Sequence, residues 1–163
     1  MSSLTLPGLC TPETVKERLC GLSAAAAFVT VARHLFDVAQ LVQTDATGAF
    51  DQTKRSDPRF GPALLLSCAL QFGINDVSLR RAWRRSSDLA HALKTFGSAG
   101  CAGMVAEAAL RLARSVQILD SEALAPIIDL LAEAAALRAN ELKVAPTAYT
   151  AGVQLSFLRH LNA

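Results

Sequence analysis

The distribution of apolar residues constrains this chain more than any other feature. No run of them reaches the ~20 residues that a membrane-spanning helix requires, although hydrophobic residues make up 52% of the 163 positions and charged residues only 18%. The apolar positions recur at three- and four-residue steps, and no alternating apolar and polar stretch is long enough for a sheet. The fold class is therefore all-α: a compact bundle of about six helices in one domain over residues 1–163, divided by Gly, Pro and short polar breaks. With thirty Ala and twenty-five Leu, the helices are apolar around much of their circumference, more than one small globule needs for its own core. A partner surface is the expected recipient of the surplus.

Thr11-Pro12-Glu13 has the chemistry of a helix start: a capping hydroxyl, a proline at the first helical position and an early acid. This helix is predicted to run to about Val42 with two apolar stripes. One holds Val15, Leu19, Leu22, Ala26, Val29 and Phe36, the other Phe28, Val31, Leu35, Val38 and Val42, and Ala24 to Ala27 offer a smooth surface for close helix approach. Residues 43–61 mix charges with turn formers and are predicted to form one polar loop. Such a long connection is either functional or poorly ordered. After Pro62, the almost wholly apolar run from Ala63 to Leu70 reads as a central buried helix ending at Gly73, with Cys68 filling core.

A further helix is predicted from Asn75 or Asp76 to Phe96, closed by Gly97 in a left-handed terminus. Leu79, Ala82, Trp83, Ser86, Leu89, Ala90, Leu93 and Phe96 mark its apolar face. Arg80 stacks with Arg84 and Arg81 with Arg85, so four guanidinium groups form a block beside the lone tryptophan. Arg80, Arg81, Trp83, Arg84 and Arg85 are thus the candidate patch for a partner or a phosphate. Guanidinium donors match phosphate oxygens in bidentate geometry. Pairing with acids, among them Asp88, Glu107, Asp120, Glu122, Asp129, Glu133 and Glu141, in this chain or a neighbour, is the preferred reading, with Trp83 as a core anchor. Nucleic acid is the less favoured partner, because one Trp and one Tyr are few for base stacking. The next helix should carry Met104, Val105, Ala108, Leu112, Ser115, Val116 and Leu119 on its inner face, with an exposed Glu107–Arg111 pair. Ser121 and Pro126 bracket the start of another helix, Pro126 in its first turn, with apolar positions from Leu124 to Leu142. A last segment from Pro146 to Leu161 offers Tyr149, Val153, Leu155, Phe157 and Leu158 for docking.

No catalytic, metal or cofactor signature stands out. His34, His91 and His160 fall on different segments, and the carboxylates are scattered. The glycines of Ser98 to Gly103 have neither dinucleotide-loop nor phosphate-loop spacing and read as close helix packing. Cys10, Cys20, Cys68 and Cys101 contain no C-x-x-C pair and read as buried reduced thiols. A net charge of +2 is too balanced for general attraction to polyanions. The first twenty residues lack the pattern of a secretory signal, and Glu13 and Glu17 oppose an Arg-rich transit peptide, so an intracellular setting is expected, with an organelle open to it.

Three segments carry a family resemblance. Val15-Lys16-Glu17-Arg18-Leu19-Cys20 looks like a basic entry helix, Ser78-Leu79-Arg80-Arg81-Ala82-Trp83-Arg84-Arg85 is similar to an Arg/Lys amphipathic helix, and Ile118-Leu119-Asp120 resembles a later leucine-aspartate helix. Together they resemble the peroxisomal membrane-elongation family, peroxin-11, over about half of the chain. The resemblance implies proximity to a membrane and a role in its remodelling. The expectation from the residues themselves is a noncatalytic helical subunit of a larger intracellular complex. The alternatives are a membrane-surface protein whose arginines meet anionic headgroups, and a coat-like nucleic-acid binder.

Overall fold

The computed structural model describes residues 21–45, 47, 49–71, 76–115 and 121–144. Helices α1 (Ala24–Leu41), α2 (Gln52–Arg55), α3 (Phe60–Leu70), α4 (Asp76–Phe96), α5 (Gly100–Arg114) and α6 (Ser121–Leu142) follow in chain order. The all-α bundle expected from the sequence is what forms. No helix among the described residues is long and apolar enough to cross a membrane.

The first helix does not run unbroken from Thr11. Ser23 takes an extended conformation and its hydroxyl accepts from the Ala26 amide at 3.2 Å, so α1 begins at Ala24. A serine two residues after Gly21 satisfies an orphan N–H that a continuing helix would leave no reason to cap. Only one of the two predicted stripes is core: Phe28, Val31, Leu35, Val38 and Val42 are fully buried. On the other, Leu22, Val29 and Phe36 are half-buried and Ala26 is exposed, and of the alanine run only Ala27 is buried. Val15 and Leu19 lie outside the described residues.

Residues 43–61 are not one loop. Asp45 closes the first part, its Oδ1 accepting from the Thr47 amide, the Thr47 hydroxyl and the Ala49 amide. A single antiparallel bridge joins Thr44 and Phe50. Asp51 then caps α2 through the Thr53 amide at 2.9 Å. Each break is stabilised by an Asp side chain bonding backbone two residues on, a local signal that a composition-based reading merges into one polar stretch. The next helix begins at Phe60, so Pro62 sits in its first turn, where a missing N–H is tolerated.

The centre of the bundle is α5, which packs against α1, α3, α4 and α6. The expectation of a central α3 is corrected for a steric reason. Ala102, Ala106, Ala108 and Ala109 of α5 are buried and let four neighbours approach, whereas α3 carries Leu65 at 48% exposure on its outer side. At Gly103 an added Cβ would lie 2.2 Å from the Ser98 carbonyl carbon, so the α4–α5 connection crosses over a position that only glycine fits. Gly97, at φ 83°, ends α4 in the left-handed conformation, as predicted. Val105, Ala108 and Leu112 form the expected inner face of α5, with Met104 and Ser115 half-buried, while Val116 and Leu119 lie outside the described residues.

Pro126 is the sixth residue of α6, not part of its first turn. Burial of Leu124, Ile127, Ile128 and Leu131 around it carries the helix through the missing backbone bond. Among the described residues, most of the apolar surface is absorbed inside. Among the described residues the large hydrophobics left exposed are Phe50, Leu65, Trp83, Phe96 and Val144. Close packing on small alanine side chains buries leucine and phenylalanine without a partner. The predicted docking segment Pro146–Leu161 lies outside the described residues.

Candidate functional site

The arginine block is on the surface of α4. Ala82 and Leu89 face the core, with Ser86, Ala90 and Leu93 half-buried beside them, so a helix turning 100° per residue directs Arg80, Arg84, Ser87 and His91 outward. Arg80, Arg81, Arg84 and Arg85 are all exposed. Trp83 is 72% exposed, which overturns its reading as a core anchor. It is placed between the buried stripe and the arginine rows, and among the described residues no neighbouring helix covers that flank. Phe96 is likewise exposed, at 53%, beyond the last core-facing turn.

Two of the expected intramolecular acids pair elsewhere. Glu107 takes Arg111 at 3.1 Å, as predicted. Glu141 takes Lys54 at 2.9 Å and Arg138 at 3.4 Å. Among the described residues, no ion pair joins Arg81, Arg84 or Arg85 to a carboxylate. Asp120 lies outside the described residues.

Arg81, Arg84, Arg85 and Asp88 share one flank of α4 at three- and four-residue steps. Facing them from α3 are Leu65, Cys68 and Ala69 at the same spacing, and the two rows line a cleft of about 790 Å³. Cys68 is therefore a half-buried wall of this cleft, not core filling, and burial pushes its thiol pKa up. The α3 wall was not legible in the sequence, because apolar residues occupy every side of that helix and periodicity selects no outer face. Arg59 fixes the two helices at their far end. Its Nε and Nη2 grip both oxygens of Asp57 at 3.0 and 2.9 Å, while Nη1 donates to the carbonyls of Gly97 and Ala99 at 2.8 and 2.9 Å. The beginning of α3 thus lies at the end of α4. The pair is antiparallel, which sets the last turns of α3 beside Arg81 and Arg85.

A second polar centre, also missed from the sequence, surrounds Arg138, which is only 3% exposed. Its Nη2 and Nε donate to the Thr44 carbonyl at 2.7 and 3.2 Å, and Nη2 also reaches Asp51 Oδ2 at 3.1 Å. Asp51 has a lowered pKa, chiefly through this bond to Arg138. Burial raises the Glu141 pKa, but bonds from Lys54, Cys101 and Arg138 outweigh it and leave the carboxyl below its ordinary value. Cys101, buried against Glu141 and the Ala134 carbonyl, has its thiol pushed up to about 11 by burial first and by that carboxylate second. This centre pins the 43–51 connection to α6. The donors of Arg138 are committed to protein acceptors, so its role is structural.

His34 is buried within α1. Among the described residues, no three His, Cys, Asp or Glu side chains gather to hold a metal. No protein-family model, curated protein or solved structure matches this chain.

Proposed function

We propose that this chain is a noncatalytic interaction subunit of a larger intracellular complex, docking an acidic protein surface through the outer face of α4. One observation carries the reading: an indole left 72% exposed among guanidinium groups. Trp and Arg dominate the energetic centres of protein interfaces, because each presents a large, stiff contact surface with a directed donor. Exposed arginines beside it favour an acidic partner and speed encounter with one.

A membrane-surface role like that implied by the peroxin-11 resemblance needs an apolar helix stripe free to enter lipid. In α4 the apolar stripe of Ala82, Leu89 and Ala92 is buried in the core. Of the other segments carrying the resemblance, Val15–Cys20 and Ile118–Asp120 lie outside the described residues. The protein-partner reading is preferred on this ground.

The test is to isolate the chain with whatever co-purifies at low salt, identify the companion, and reconstitute the pair from purified components. Sedimentation should give a discrete complex that dissociates as salt rises. Trp83→Ala should weaken it by about 2–4 kcal/mol, the range of an interface centre, while leaving the melting temperature of the free chain unchanged. A stable monomer that forms no stoichiometric complex, or a complex indifferent to Trp83→Ala and Arg80→Gln, refutes the proposal.

A further inference from the structure

We propose that the cleft between α3 and α4 is a binding site for a phosphate monoester carrying an apolar group, adjoining the outer face assigned to protein docking and sharing Arg84 with it. Its shape sets the scale: about 790 Å³ lies within the range of small-molecule sites. Its two walls differ in chemistry. Arg81, Arg84 and Arg85 bring guanidinium donors from α4, while Leu65, Cys68 and Ala69 bring apolar surface from α3. An occupant that satisfies both walls has an anionic end and an apolar end.

Charge selects the anion. Three arginines against Asp88 leave two positive charges in the lining, matching a phosphate monoester, which carries close to two negative charges at neutral pH. A carboxylate offers half of that charge and two oxygens to three guanidinium groups, whereas a phosphate monoester presents three terminal oxygens that accept bidentate bonds. No carboxylate among the described residues is ion-paired with these three arginines, so an incoming phosphate displaces no internal ion pair. The half-buried Cys68 marks a wall where water is partly excluded. The phosphate could belong to a soluble organophosphate or to a lipid headgroup.

Phenyl phosphate combines both features and is the probe of choice. Titration calorimetry on the full chain should show saturable binding weakened about tenfold or more by each of Arg81→Gln, Arg84→Gln and Arg85→Gln, the scale of one lost charge-assisted bond. Arg80→Gln, which removes the same charge outside the lining, should change affinity less than about twofold, as screened surface charge does. Asp88→Asn should tighten binding. Thiol labelling read at Cys68 by peptide mapping should slow when the probe is bound. Phosphatidylcholine vesicles containing phosphatidic acid give the second arm: protection of Cys68 by them assigns a headgroup, and protection by phenyl phosphate alone assigns a soluble ligand. Equal weakening by all four arginine variants, unaltered labelling of Cys68, or no binding at low salt overturns the site. Trp83→Ala should leave phenyl phosphate binding intact, so failure of the docking proposal and failure of this one are read separately.

Discussion

Arg138 shows how one side chain organises a stretch that looks featureless in sequence. Its guanidinium supplies the Thr44 carbonyl with two donors and also reaches Asp51 and Glu141. Arg138→Leu should destabilise the chain by roughly 2–3 kcal/mol, because a backbone acceptor loses its donors while the two carboxylates, both partly exposed, recover water. Chemical denaturation measures this, and an unchanged midpoint would show that the 43–51 connection holds without it. The cysteines make a second contrast. Cys101 is buried with a thiol near 11, whereas Cys68 is half-buried on a cleft wall. At pH 8 native Cys68 should label much faster than Cys101, since only an accessible thiolate reacts. Comparable rates would mean that α5 and α6 separate easily.

At the level of elements, the close crossing of Ser98 over Gly103 holds the start of α5. Gly103→Ala drives a Cβ into backbone that has no rotamer to yield, so a loss of about 1–3 kcal/mol or more is expected. A thermal melt indistinguishable from wild type would contradict that crossing. The end of α6 offers the opposite change. Lys143 holds φ 60° where glycine is the common residue, so Lys143→Gly should raise stability by up to about 1 kcal/mol. The helices themselves were legible: α4 starts at Asp76, within the predicted range, Gly97 ends it as its chemistry predicts, and the Phe28 to Val42 stripe gave the buried face of α1 directly. The sequence misled where one local signal outranked another. Thr11-Pro12-Glu13 read as the start of a helix running to Val42, but Ser23 is the cap that begins α1. Proline chemistry pointed to the first turn for Pro126, but packing on both sides of it extends the helix a full turn upstream.

For the whole molecule, acid sensitivity follows from where the carboxylates sit. The pKa values of Asp45, Asp51, Asp57 and Glu141 are all lowered in the folded chain. Asp45 is held by Thr47, and Asp57 by the fork to Arg59. Each group binds a proton less readily folded than unfolded, so its contribution is complete above the ordinary carboxylate range near 4 and is lost as pH falls through the lower folded values. Unfolding free energy should therefore hold from neutral pH to about 5 and decline steeply below about 4. Arg138→Leu, which removes the bond that lowers Asp51, should flatten part of that decline. A profile that instead falls between pH 5 and 7 would assign the sensitivity to a histidine.

The sequence alone determined helix type, the ends of α4 and the presence of a concentrated arginine block, because caps, prolines, glycines and three- to four-residue periodicity act within a turn or two of the chain. Which apolar surfaces stay exposed was decided only by tertiary structure. Trp83 and Leu65 have the sequence signature of core residues, yet α4 and α3 use other faces for packing. Cys68 and the arginines meet across a cleft because two helices with a fixed far end run antiparallel. Arg138 finds Thr44 at a separation of 94 positions and Asp51 at 87. Contacts of that range depend on which elements pack side by side, and no local pattern in a chain this rich in alanine and leucine specifies that choice.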